Sequence, residues 1–105
     1  MATVALLCPD LLFGSKVEGA LRAAGHEVRQ VPEPAAAGGA ELLVIDLTSD
    51  AEARLRDLPA IPTLAFYSHV EQDVRQAADA AGVTKVVPRS RMAREGAALV
   101  EGLLA

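Results

Sequence analysis

The chain has 105 residues and a formal net charge of −4, and 51% of its residues are hydrophobic while only 3% are aromatic. This length predicts one domain over residues 1–105, and the hydrophobic content excludes a disordered chain. The acidic balance and the scarcity of aromatic rings argue against a nucleic-acid partner, and no apolar run approaches the ~20 residues that span a bilayer. We therefore expect a cytoplasmic protein that binds neither nucleic acid nor membrane.

Short apolar runs alternate with helical patterns from the N-terminus onward. Residues 3–8 are continuously apolar, which is typical of a strand buried on both faces of a parallel sheet. A helix follows, and either Asp10 or Ser15 could cap its start. Gly25 is expected to end this helix. Residues 27–31 alternate polar and apolar side chains, as a half-exposed edge strand does.

The middle of the chain predicts a loop and two further strands. The segment 32–40 contains two prolines and two glycines, so we expect at most one helical turn there. Residues 41–47 form the clearest buried central strand. Ser49 and Glu52 have the spacing of a capping box and predict a short helix. The next strand is predicted over residues 63–67.

The last third repeats the alternation. Ser68 and Glu71 give another capping-box spacing, and a helix is expected behind them. A fifth strand is predicted over residues 85–87, and Ser90 is expected to cap a final helix. The predicted inward residues are Val70, Val74, Ala77, Ala78 and Ala81 in the first helix, and Met92, Gly96, Leu99, Val100 and Leu103 in the second.

Strands that alternate with helices imply right-handed crossovers and a parallel sheet. Five strands in about a hundred residues fit a flavodoxin-like α/β three-layer sandwich with strand order 2-1-3-4-5. The second helix of that fold is expected to be short or absent, because the segment 32–40 takes its place. Ligands of such sheets bind beyond the carboxyl ends of the strands, near the switch point between strands one and three.

Two stretches of sequence carry a family resemblance. Residues 42–47, Leu-Leu-Val-Ile-Asp-Leu, end a buried strand with an acid, and residues 80–89 run from a helix end through a strand to Arg89. In this order and spacing the chain resembles response-regulator receiver domains over nearly its whole length. The resemblance places Asp46 at the family's phospho-accepting aspartate and Arg89 at its lysine. Ser68 lies one place past the family's switch serine or threonine.

The resemblance has one clear departure. The family carries two acidic residues after its first strand, which hold Mg²⁺, whereas Cys8 and Pro9 stand there in this chain and only Asp10 follows. Asp10 and Asp46 would make at most a weak Mg²⁺ site, and no other cofactor is expected. We therefore predict an atypical receiver, or pseudo-receiver, of two-component signalling. It would not be an enzyme or an efficient phosphorelay member, and it would bind another protein or a second copy of itself through the face formed by residues 69–104.

Several residues keep two interpretations. Asp46 is either a phosphoacceptor or a structural acid paired with Arg89, and Asp10 is either a helix cap or a metal ligand. Ser68 is explained by helix capping, with a switch role as the alternative. A basic group near the last helix would hold an anion or an acidic partner, or would simply be solvated. Its members are Lys85, Arg89, Arg91 and Arg94.

A different function also remains possible on these patterns. A flavodoxin-like domain could bind a small ligand, namely a nucleotide or a flavin phosphate. No glycine-rich phosphate loop follows the first strand, because residues 9–15 contain only Gly14. Cys8 is expected to be a buried core residue, and His26 is expected to be solvated.

Overall fold

The computed structural model describes residues 2–68 and 72–104. Five parallel strands form one sheet in the order β2-β1-β3-β4-β5, which confirms the predicted flavodoxin-like arrangement and the edge position of β2. The strands are β1 (Thr3–Leu7), β2 (Glu27–Gln30), β3 (Leu42–Asp46), β4 (Thr63–Tyr67) and β5 (Lys85–Pro88).

Among the described residues, three helices and one 3-10 turn lie between the strands, and a fourth helix follows β5. The helices are α1 (Leu11–Ala23), α2 (Ala51–Arg54), α3 (Gln72–Ala80) and α4 (Arg89–Leu104), and the 3-10 turn is Pro34–Ala37. This single turn replaces a helix between β2 and β3, as the prolines and glycines of the segment predict. Within residues 2–68 and 72–104, no helix is long and apolar enough to cross a membrane.

Strand side chains alternate between the two faces of the sheet, so β1, β3 and β4 each contribute to two cores, whereas the edge strand β2 buries only Val28. One core packs under α1 and α4, and its largest fully buried side chains are Leu6, Leu21, Leu42, Leu64, Phe66 and Met92. The other core lies under the 3-10 turn, α2 and α3, and it is rich in alanine: Ala5, Ala37, Ala40, Ala65 and Ala78 belong to it. All five residues of β3 and all five of β4 are buried because both faces are covered.

The cover on the alanine-rich face is thin. Helix α2 has only four residues, whereas α1 has 13 and α4 has 16. On α3, Ala78 is buried as predicted and Val74 is half-buried, but Ala77 and the following Ala81 are exposed. The prediction that Ala77 and Ala81 point inward is therefore wrong, because the short α2 does not extend far enough to cover them. Val70 lies outside the described residues.

The helix starts resolve the capping alternatives. Asp10 is the N-cap of α1, and its side chain accepts a hydrogen bond from the Phe13 backbone N–H at 3.0 Å, which leaves Ser15 inside the helix. The end of α1 follows the prediction, since Gly25 has a φ of 94° in the left-handed region that glycine favours.

Two other predicted caps are wrong. Asp50, not Ser49, precedes α2, and with φ 50° and ψ 33° its side chain makes no capping bond. The left-handed turn at Asp50 redirects the chain after Ser49, which removes Ser49 from the capping position. Helix α4 begins at Arg89, directly after β5, so Ser90 lies within its first turn. The predicted pair of Ser68 with Glu71 falls partly outside the described residues, because Glu71 is not described.

His26 is buried, at 6% exposure, so the prediction that it is solvated is wrong. Its Nδ1 accepts a hydrogen bond from the Ala2 backbone N–H at 3.2 Å, and its Nε2 lies 2.6 Å from Glu101 Oε1. Because Nδ1 is an acceptor, Nε2 carries the proton and donates to the glutamate. The imidazole thus joins the start of β1 and the end of α1 to α4.

The two-sided burial of β4 gives a first prediction. Leu64 is fully buried in the core under α1 and α4, so we expect Leu64→Ala to lower the free energy of unfolding by about 3 kcal/mol through lost burial and a residual cavity. Urea unfolding followed by circular dichroism measures this loss. Leu12→Ala is the control, since Leu12 is 87% exposed and should change stability by less than about 0.5 kcal/mol. Equal effects of the two substitutions would contradict this packing.

Candidate functional site

The strand registers bring the candidate residues to one edge of the sheet. Leu7 of β1 lies beside Ile45 of β3, so the next residues along the two strands, Cys8 and Asp46, are neighbours. Asp46 in turn lies beside Phe66 of β4. The parallel sheet therefore gathers these side chains at its carboxyl edge, where ligands of such folds bind.

The Asp46 carboxylate is buried and fully engaged. The residue is 3% exposed, and its Oδ1 accepts hydrogen bonds from the Thr48 backbone N–H at 2.8 Å and from Thr48 Oγ1 at 2.6 Å. Its Oδ2 faces the Cys8 thiol, with Sγ at 3.7 Å. The main-chain oxygen of Asp46 accepts a further bond from Arg54 Nη1 at 2.7 Å. Each oxygen atom of Asp46 thus has a protein donor beside it.

Cys8 behaves as the buried core residue that was predicted. It is 6% exposed, and its Sγ lies 3.6 Å from the Asp10 carbonyl oxygen as well as close to Asp46. Burial, and then the nearby Asp46 carboxylate, raise the pKa of the Cys8 thiol to about 11. At neutral pH the side chain is therefore a neutral hydrogen-bond donor rather than a thiolate.

Arg89 pairs with Asp10, not with Asp46. Its Nη2 lies 3.0 Å from Asp10 Oδ2, and no ion pair joins Arg89 to Asp46 within the described part of the chain. The predicted pair is wrong because Thr48 and Cys8 already occupy the Asp46 carboxylate. The Phe13 backbone N–H, and then Arg89, lower the pKa of Asp10 below its ordinary value of 3.8. The cap interpretation of Asp10 is thereby confirmed.

An aromatic stack positions the Arg89 guanidinium. Its Cζ lies 4.3 Å from the centroid of the Phe13 ring, a cation–π distance, and the Phe13 centroid lies 5.1 Å from that of Phe66. The first turn of α4 is therefore fixed to the first turn of α1 by one cation. Part of the guanidinium still faces solvent, since the side chain is 43% exposed.

The donor set at this edge does not fit Mg²⁺. That ion needs several oxygen ligands in near-octahedral geometry. Cys8 offers a protonated thiol, Asp10 is engaged by Arg89 and by the α1 backbone, and Asp46 is engaged by Thr48. Among the described residues, no group of three acidic, histidine or cysteine side chains could hold a metal ion. The predicted weak site therefore has two carboxylates that are both committed to other partners.

The predicted basic group is divided by the fold. Lys85 begins β5 and Arg89 follows its end, so about four residues or ~13 Å of strand separate them. Arg91 and Arg94 share one acidic neighbour, Glu95, with nitrogen–oxygen distances of 3.6 Å to each. The arginines remain together at the start of α4, while Lys85 lies at the other end of the sheet.

A shallow pocket of about 420 Å³ opens at the carboxyl edge beside Arg89. It brings together two of the candidate residues, Ser68 and Arg89, and adds Thr48. The full lining is Phe13, Thr48, Ser68, Arg89, Ser90 and Ala93. Phe13 is only 8% exposed, so the pocket offers a cation and hydroxyl groups but no open aromatic face.

Two features of this edge were missed in the sequence. Thr48 satisfies Asp46, and a threonine two residues after an aspartate at a strand end is a local turn signal that could have indicated it. Leu11 and Leu12 are 81% and 87% exposed in the first turn of α1. Nothing in the local pattern distinguishes them from inward leucines, because their orientation depends on where Asp10 starts the helix.

Solved structures resemble this chain over its whole length. A response regulator from Thermotoga maritima matches with a TM-score of 0.76 and 16% identity, over 99% of this chain and 98% of that chain. The non-phosphorylated HemR receiver domain from Leptospira biflexa matches with a TM-score of 0.78 and 16% identity, over 100% and 95%. A response regulator receiver protein from Burkholderia phymatum matches with a TM-score of 0.77 and 17% identity, over 99% and 95%.

No protein-family model matches the chain, and a search of curated proteins gives no match either. The structural likeness at these low identities defines the fold. The chain has the fold of response-regulator receiver domains, as the order of its elements and the resemblance in sequence predict.

The raised pKa of Cys8 gives a second prediction. Since only a trace of thiolate exists at pH 8, we expect the folded protein to react with Ellman's reagent at least about a hundredfold more slowly than the protein unfolded in guanidinium chloride. The matched control is Cys8→Ala combined with Ser15→Cys, which moves the one thiol to an exposed position on α1. Equal rates for the wild type and this control would contradict a buried, protonated thiol.

The lowered pKa of Asp10 gives a third prediction. A carboxyl group whose pKa is lower in the folded state stabilises the fold above its ordinary pKa of 3.8, and this contribution is lost as the pH falls through the lower folded value. Asn remains a good N-cap, so Asp10→Asn removes mainly the charge. We expect a lower urea midpoint for Asp10→Asn than for wild type at pH 7, and a difference that shrinks as the pH falls below the ordinary pKa of 3.8. A difference that is constant with pH would exclude this contribution.

Proposed function

We propose that the chain is a pseudo-receiver, a signalling or protein-interaction module that works without efficient phosphorylation of Asp46. The observation that carries this proposal is the closed environment of the Asp46 carboxylate. Thr48 donates twice to one of its oxygens and the Cys8 thiol lies against the other. A nucleophilic carboxylate needs one oxygen free to meet the phosphoryl group, and a residue that is 3% exposed with these neighbours lacks that access.

Electrostatics supports the same proposal. Phosphoryl transfer depends on cations that neutralise the charge on the transferred group. The donor set at the sheet edge does not fit Mg²⁺, and the Arg89 charge is partly neutralised by Asp10. Arg89 and Ser68 line the same pocket and keep a phosphate-contacting role open for a ligand or partner that brings its own anion.

Function through binding agrees with the remaining chemistry of the chain. Cys8 is protonated and buried, and His26 is held between a backbone N–H and Glu101, so neither is placed to act on a substrate. We place the partner, another protein or a second copy, on the surface that includes α3, β5 and α4. Arg91 and Arg94 are available there, with side chains that are 42% and 69% exposed.

Binding of a nucleotide or a flavin phosphate is the alternative. The pocket beside Arg89 has room for a phosphate, but a flavin or base ring also needs an aromatic surface. The three aromatic residues of the chain, Phe13, Phe66 and Tyr67, are at most 8% exposed. This burial favours the interaction module over the ligand-binding domain.

Phosphorylation chemistry tests the proposal directly. We expect no added phosphoryl group in the intact mass after incubation with phosphoramidate and millimolar Mg²⁺, because Asp46 is enclosed and the Asp10 and Asp46 carboxylates are both engaged by other partners. A conventional receiver domain in the same reaction shows that the donor is active, and Asp46→Asn identifies the modified residue. Labelling of the wild type that is lost in Asp46→Asn would overturn the pseudo-receiver.

The substitution Cys8→Asp tests whether Cys8 is the reason that this edge does not fit Mg²⁺. It places a carboxylate beside Asp46, where two like charges destabilise the fold unless a cation lies between them. We expect millimolar Mg²⁺ to raise the melting temperature of Cys8→Asp and to leave that of the wild type unchanged. An equal response of both proteins would mean that Cys8 does not determine metal binding.

A further inference from the structure

A groove of about 520 Å³ runs between α2 and α3 on the thinly covered face of the sheet. Leu55, Val74 and Ala77 supply its apolar surface, and charged side chains stand at its rim. Leu55 and Val74 also pack against the alanine-rich core, so the apolar surface is anchored in the fold. The full lining is Glu52, Leu55, Arg56, Asp73, Val74 and Ala77.

The groove exists because α2, which covers this face of the sheet, is shorter than its neighbour α3. Helix α2 ends at Arg54 after about one turn, while α3 continues to Ala80. Ala77, which the sequence pattern assigns to the buried face of α3, is exposed in the groove. An apolar helical face without a neighbouring helix is the geometry into which an amphipathic helix docks.

The rim of the groove has a net negative charge, because Glu52 and Asp73 line it together with one cation, Arg56. The two segments that form the groove, residues 50–57 and 72–80, contain five acidic side chains and three arginines. One of these arginines, Arg54, is engaged by the Asp46 carbonyl oxygen at 2.7 Å. Glu52 and Asp73 flank the apolar surface from α2 and α3 respectively, and both are exposed.

We propose that this groove binds an amphipathic helix of a partner protein whose apolar side is flanked by lysine or arginine. Apolar side chains of the partner at positions i, i+3 and i+4 would contact Leu55, Val74 and Ala77, and its cations would meet Glu52 and Asp73. The inference rests on the proposed interaction module and specifies one binding surface for its partner. This surface includes α2, which lies outside the segment 69–104 that the sequence predicts as the partner surface.

A titration of the ¹⁵N-labelled full chain with a synthetic helical peptide tests this surface. The probe is an 18-residue peptide of leucine and lysine in amphipathic order, and the comparison peptide replaces lysine with glutamate. With the lysine peptide, we expect saturable chemical-shift changes of the backbone amides of the residues that line the groove on both sides, within 52–56 and 73–77. With the glutamate peptide, binding is expected to be at least about tenfold weaker because the rim repels it.

Matched substitutions assign the binding to the groove. Ala77→Glu fills the exposed groove wall and adds a charge to it, so we expect at least about a tenfold loss of lysine-peptide affinity. Ala80→Glu is the control, because Ala80 is exposed on the same helix and does not line the groove. Glu52→Gln with Asp73→Asn should weaken binding about threefold to tenfold, and Glu27→Gln with Glu33→Gln, which removes the same charge elsewhere, should not.

Three results would contradict the proposal that this groove binds a partner helix. Shifts centred on the exposed Leu11 and Leu12, or on β5 and α4, would place the partner elsewhere and leave the interaction module standing. Unchanged affinity of Ala77→Glu would remove the groove from the interface. Groove shifts that depend on protein concentration without any peptide would identify a second copy of the chain as the occupant. Phosphoryl labelling of Asp46 is a separate readout, so failure of the proposed function is distinguishable from failure of this surface.

Discussion

The pairing of β1 with β3 decides the chemistry of the candidate site. Because Leu7 lies beside Ile45, the next residues, Cys8 and Asp46, meet at the carboxyl edge of the sheet. A second carboxylate in place of Cys8 would repel Asp46 and require a cation between the two. A thiol with a pKa of about 11 donates a hydrogen bond instead. One residue identity thus turns a place suited to a divalent cation into a closed hydrogen-bonded pair, which Thr48 completes from the other side.

The position of Arg89 follows from that closed pair. With the Asp46 carboxylate satisfied, the guanidinium lies on Phe13 and pairs with Asp10 across the first turns of α1 and α4. Both contacts are partly exposed, since the Arg89 and Asp10 side chains are 43% and 39% exposed, and exposed ion pairs stabilise a fold only weakly. Asp46, in contrast, is held by hydrogen bonds within the buried part of the sheet edge.

The sequence predicts the parts of this molecule that depend on local pattern and misses those that depend on the meeting of distant residues. Proline and glycine between residues 32 and 40 predict the loss of a helix, and the continuous apolar runs predict the central strands. The partner of Arg89 is not readable in this way, because Asp10 lies 79 residues away in the sequence and meets Arg89 only after folding. His26 illustrates the same limit, since its hydrogen-bond partner Glu101 lies 75 residues away in the sequence.

Helix length and side-chain size are matched on the two faces of the sheet. Under α1 and α4 the core contains leucine, phenylalanine and methionine, and long helices are needed to cover these large side chains. Under α2, α3 and the 3-10 turn, five of the twelve buried core residues are alanines, so short elements can lie close to the strands at these positions and still exclude water from Ala37 and Ala65, which are 0% exposed. Because these side chains are small, the centre of this face stays buried although the helix between β2 and β3 is missing. At the margin of the face, α3 extends beyond the short α2, and the apolar residues of α3 that α2 does not cover line the groove.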